Sequence, residues 1–82
     1  MSDYRPIDCG LYSRYEVAIM HRDWLKLSWR DAEGMNHLEV LRPVDLETRD
    51  GAEYLIAHNR NGDRFRLRLD RIDRVDPVAG GD

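Results

Sequence analysis

Apolar residues recur with two different periods along this chain, and the change of period marks where its elements begin and end. Leu11, Tyr15, Ala18 and Ile19 fall at i, i+4, i+7 and i+8, which is one face of a helix. Ser13 and Glu16 stand at capping-box spacing, with Tyr12 and Val17 placed to staple across the cap. This predicts regular helix from about residue 14 to 22, after a looser turn. From Asp23 the period falls to two. Leu25, Leu27 and Trp29 alternate with Trp24, Lys26, Ser28 and Arg30, the pattern of a half-buried strand. Trp29 is then expected in the core, and Trp24, on the other face, beneath the helix or exposed.

After a turn at Asp31-Ala32-Glu33-Gly34, a second strand is expected from Met35 to Arg42, with Leu38 and Val40 inward and Pro43 as its end. Val44 to Gly51 is polar and irregular, with room for a short edge strand around Val44 to Glu47. Ala52 to His58 is the third clear strand, with Tyr54 and Ile56 on one face and Leu55 and Ala57 on the other. Asn59-Arg60-Asn61-Gly62-Asp63 forms a hairpin turn, because Asn-Gly tolerates the positive φ such turns require. In the next strand Phe65, Leu67 and Leu69 point in, while Arg64, Arg66, Arg68 and Asp70 point out. Arg71 to Asp76 supplies a last short strand.

One helix followed by about five short antiparallel strands predicts a mainly β domain, a small and strongly bent antiparallel barrel. Closing the sheet would remove edges that otherwise pair with other chains. The organisation expected is an extended arm and turn over residues 1–12, a single domain over 13–76 and a flexible tail over 77–82. Pro6 holds Arg5 extended, and Gly10 interrupts any earlier helix.

Composition narrows the function classes. The chain has 82 residues, 41% hydrophobic and 35% charged, so it forms one small core beneath a very polar surface. A core this small leaves little room for a deep substrate cleft, and no enzymatic activity is expected. No apolar run approaches the roughly 20 residues of a membrane span. The start of the chain does not resemble an export signal. The lone Cys9 has no disulfide partner, which points to the cytoplasm. Net charge is −3, and Asp3, Asp8, Asp23, Asp31, Glu33, Asp45, Glu47 and Asp50 concentrate the acid in the first 50 residues. Acidic balance disfavours direct nucleic-acid binding and favours a basic partner.

Candidate chemistry is sparse. Cys9, His21, His37 and His58 are not spaced as metal ligands, so no metal site is expected. Cys9 reads as a small apolar anchor for the arm rather than a nucleophile. Phosphate-cradling glycine loops are absent from the sequence, and no cofactor is expected. Two groups of residues stand out. Arg64, Arg66 and Arg68 form a stripe on one strand face, able to hold RNA phosphates or to be neutralised by Asp63, Asp70 and cross-strand acids such as Glu53. Asp8, Tyr12, Tyr15 and Glu16 gather acid and aromatic groups around the helix, either as a patch for a basic partner or as a helix cap and barrel cover.

The ordered series Tyr4-Arg5-Pro6-Ile7-Asp8-Cys9, Tyr12, Glu16-Val17-Ala18, Glu53-Tyr54-Leu55-Ile56 and Arg68-Leu69-Asp70-Arg71-Ile72 resembles the Rof proteins, the bacterial Rho-binding antiterminators. The resemblance implies an Sm-like barrel with an N-terminal helix. It also implies binding to the N-terminal, RNA-accepting region of transcription termination factor Rho, so that transcript is excluded and termination suppressed. On that resemblance Tyr12 and Glu16 are the first contact residues, with Asp8 next. Separately, the free protein is expected to be a monomer, although Sm-like barrels can form rings. Family members carry a pattern like Cys-Asp-Asp-Tyr-Asp where this chain has Cys9-Gly10-Leu11-Tyr12-Ser13. Asp8 and Glu16 therefore carry more of the electrostatics here. The alternative is an Sm-like RNA-binding module that uses the Arg64, Arg66 and Arg68 face.

Overall fold

A computed structural model describes residues 7–78; residues 1–6 of the expected arm, including Tyr4-Arg5-Pro6, and residues 79–82 of the expected tail lie outside them. Helix α1 spans Cys9–His21, starting earlier than the Ser13 capping box predicts. Asp8 is the N-cap, and its Oδ2 accepts the Gly10 N–H at 3.0 Å. The extra turn is favoured because it brings Leu11 and Tyr12 against the core, where burial outweighs the roughly 1 kcal/mol that Gly10 costs a helix. Ser13 and Glu16 consequently lie within the helix, both exposed, and Val17 is 47% exposed instead of stapling the cap. Tyr15 and Ala18 form the buried stripe. Cys9, expected to anchor an arm, is exposed in the first turn.

The strands are β1 (Leu25–Arg30), β2 (Asn36–Arg49), β3 (Ala52–His58), β4 (Arg64–Arg68) and β5 (Ile72–Pro77), with a 3₁₀ turn at Leu69–Arg71 before the last. They form one antiparallel sheet in the order β4-β3-β2-β1-β5. The predicted closure is not present: β4 and β5 end the sheet, and no pairing among the described residues joins them. The sheet is nevertheless sharply curled. Two strands separate β1 from β4, which in a flat sheet is roughly 14 Å. Yet the Trp29 and Phe65 rings meet edge to face with centroids 5.9 Å apart.

Much of that curl lies in β2. It runs for 14 residues through Pro43, where the sequence predicts a break. Its first part pairs with β1 and its second with β3, and the ladder shifts register between Pro43 and Asp45. A bulge is where a strand tolerates proline's missing N–H, and it adds local twist. The phase of β2 is also the reverse of the expected one. Leu25, Leu27 and Trp29 are buried, and their register partners are Leu41, Glu39 and His37. Leu38 therefore faces out, 61% exposed, and Val40 is half-buried on the same outer side. The inward side of the curl holds Leu27, Leu41, Leu55, Leu67 and Leu69, with Tyr15 and Ala18 of the helix packed on them.

The turns follow their sequence. Asn59 Oδ1 accepts the N–H groups of Asn61 and Asp63, and Gly62 takes φ 85°. In the β1–β2 turn, Asp31 Oδ1 accepts from Glu33 and Met35 N–H, and Oδ2 lies 2.8 Å from His37 Nε2. The His37 hydrogen bond is the main cause holding the Asp31 carboxyl below its ordinary value, followed by the Met35 N–H.

Replacing Asp8 with alanine is expected to cost about 1 kcal/mol in urea unfolding, from loss of the cap. Ser13→Ala should change stability by less than about 0.5 kcal/mol. The Asp31 carboxylate stabilises the fold above the ordinary aspartate range of about 3.9, and the contribution disappears as pH falls through its lower folded-state value. Asp31→Asn should therefore lower stability at neutral pH and flatten the acid limb of a stability-versus-pH curve.

Candidate partner-binding site

Helix α1 places Tyr12, half-buried, and Glu16, exposed, one turn apart on the same side of the helix. Glu53, on the inward side of β3 like Leu55, reaches the same place from the sheet. Ile7, Cys9, Tyr12, Ser13 and Glu53 line a shallow depression of about 280 Å³. Tyr12 is half-buried there. Burial pushes its phenol above the ordinary value, and the charges of Glu53 and then Glu16 push it further in the same direction. Two carboxylates thus flank a neutral hydroxyl beside an apolar floor. Such a surface can pair with guanidinium or ammonium groups while the ring gives stacking area.

Of the three expected contact residues, Tyr12 and Glu16 come together. Asp8 sits at the head of the same helix with Oδ2 engaged by the Gly10 N–H. Glu53 is the member that sequence reading assigned elsewhere, as a partner for the arginine stripe. Only the register of β3 against β2, with Glu53 opposite Thr48, turns it toward the helix.

The arginine stripe is largely neutralised. Arg66 lies 3.6 Å from Glu47 Oε1 and stacks over the Tyr54 ring at 4.8 Å. Arg68 is mostly buried and pairs with Asp70 at 2.9 Å. Arg64 is exposed. Trp24 is half-buried, with Arg60 over its ring at 4.9 Å and Arg42 at 5.9 Å. The histidines are dispersed. His21 lies 3.9 Å from Asp23, His37 stacks on Trp29 at 5.3 Å, and His58 sits between Arg42 and Arg64 in the sheet.

Among the described residues no helix is long and apolar enough to cross a membrane. Comparison with known proteins finds a match to the WYL domain family over residues 11–77. The protein named Protein rof of Escherichia coli K12 is 35% identical over 69 residues, covering 84% of this chain and 76% of that protein. Protein rof of Shigella flexneri matches to the same extent.

Glu53→Gln should move the Tyr12 phenol back toward its ordinary range. Ultraviolet titration, with Tyr12→Phe used to assign the signal, reads the shift. An unchanged Tyr12 titration would mean that Glu53 does not act on the hydroxyl in solution.

Proposed function

The chain belongs to the Rof family, and we propose that it is a cytoplasmic protein inhibitor of transcription termination factor Rho, acting by binding and not by catalysis. The observation that carries the proposal is the Tyr12, Glu16 and Glu53 cluster. A surface that takes up RNA is basic and accepts flat rings between its cations. A protein presenting two carboxylates around an aromatic hydroxyl resembles such a ligand in charge and shape, and it can occupy the surface in the transcript's place. Complementary charge speeds encounter, and the half-buried ring adds contact once docked. Asp8 contributes charge at the head of the helix, which supports the same polarity. Occupation of Rho's N-terminal RNA-binding region would leave transcript unbound and allow transcription to read through.

Calorimetric titration of the protein into cognate Rho should give saturable binding that a pyrimidine-rich RNA oligonucleotide abolishes. Glu16→Lys should weaken binding by at least about tenfold, in the range of a truncated interface charge pair. Absence of heat at low salt, or binding indifferent to RNA, would overturn the competitor mechanism.

A further inference from the structure

The outward face of β2, β3 and β4 is ordered into cross-strand rows by its register. One row runs Glu47, Tyr54, Arg68 and the next Asp45, Ile56, Arg66. Each sets a carboxylate and an arginine on the same face, two strands apart. The third row is Arg42, His58, Arg64. It contains no carboxylate. With Leu25 opposite Leu41, the residue opposite Arg42 on the next strand is Trp24, and the Arg42 guanidinium lies 5.9 Å from the indole centroid. Arg60, from the β3–β4 turn, covers the same indole at 4.9 Å. Neighbouring strands lie about 4.8 Å apart, so Trp24, Arg42, His58 and Arg64 make a line roughly 14 Å long in which cations and flat rings are interleaved.

We propose that this row binds a stretch of single-stranded nucleic acid, with arginines on phosphates and the Trp24 and His58 rings beside bases. Alternation of charge with flat faces distinguishes this from a surface for acidic protein, which needs cations alone. The Asp63 and Asp45 carboxylates keep their charge, but each is oriented by a local hydrogen bond. Asp63 Oδ2 accepts from Asn59 Nδ2 at 3.1 Å, and Asp45 Oδ1 accepts the Leu46 N–H at 2.8 Å. The row also lies on the opposite side of β3 from Glu53, so it is separate from the acidic cluster and does not depend on the Rho reading. Arg64 is the one member of the sequence-predicted stripe that belongs to it. Arg66 and Arg68 do not, because their charges are already offset.

The test is fluorescence anisotropy of labelled oligopyrimidine RNA and DNA titrated with the full chain, with Rho absent. The expected result is salt-sensitive binding to one or both oligonucleotides, with a log–log slope of about −1.4 for the two phosphate contacts of Arg42 and Arg64. Arg64→Glu and, separately, Arg42→Gln should each weaken binding, Arg64→Glu by about tenfold, and reduce the slope by about 0.7 to 1. Arg66→Gln, with its charge already met by Glu47, should change it less than about twofold. Circular dichroism of each variant checks the fold. No binding at low salt, equal losses from the Arg64 and Arg66 substitutions, or RNA and DNA affinity undiminished in Trp24→Ala would overturn the proposal.

Discussion

Everything in this fold depends on one strand serving two ladders. β2 pairs with β1 over its first half and β3 over its second, and the exchange occurs at a buried proline beside a register shift. A strand that simply ended at Pro43 would leave two small sheets with nothing fixing their relative angle. Continuous backbone with a bulge instead bends one sheet around a single core. The Trp29 to Phe65 contact is the direct measure of that bend, because it joins strands that a flat sheet keeps far apart. The helix then has a concave surface to fill, and Tyr15 reaches complete burial within it.

The same register decides which charges matter. This chain carries many charges of both signs, so proximity along the sequence says little about partnership. Cross-strand alignment puts Glu47 within reach of Arg66, and the tight turn after β4 puts Asp70 against Arg68. It turns Glu53 away from the arginines toward Tyr12. Acid is thereby collected at the helix, and a row of base is left on the far side of β3. The molecule is polar in a way its net charge of −3 conceals.

These facts explain which parts were legible beforehand. The helical face of Leu11, Tyr15, Ala18 and Ile19, the Asn-Gly hairpin, and the alternation in β1 and β4 are local patterns, and local geometry reproduces them. The helix start was misjudged because Ser13 and Glu16 satisfy a local rule, whereas the true start is chosen by burying Leu11 and Tyr12 against residues distant in sequence. The phase of β2 failed for a similar reason: Leu38 and Val40 are apolar, but Leu25 and Trp29 across the ladder dictate which side is inward. Within the candidate site, Tyr12 and Glu16 were visible as helix neighbours. Glu53 was not, since only pairing partners reveal which way a strand residue turns.

The open ladder has a further consequence for how copies of this protein treat one another. Its two outermost strands have no further strand paired on their outer sides among the described residues, and an open strand edge is the usual starting point for strand-to-strand stacking between molecules. Both are studded with charge. β4 alternates Arg64, Arg66 and Arg68, and β5 presents Asp73, Arg74 and Asp76 before ending on Pro77, which has no N–H to donate. Bringing another edge alongside would desolvate these groups or set like charges together. Resistance to runaway self-assembly is thus built into the rims of the sheet, and it would be weakened by substitutions that leave every buried contact intact.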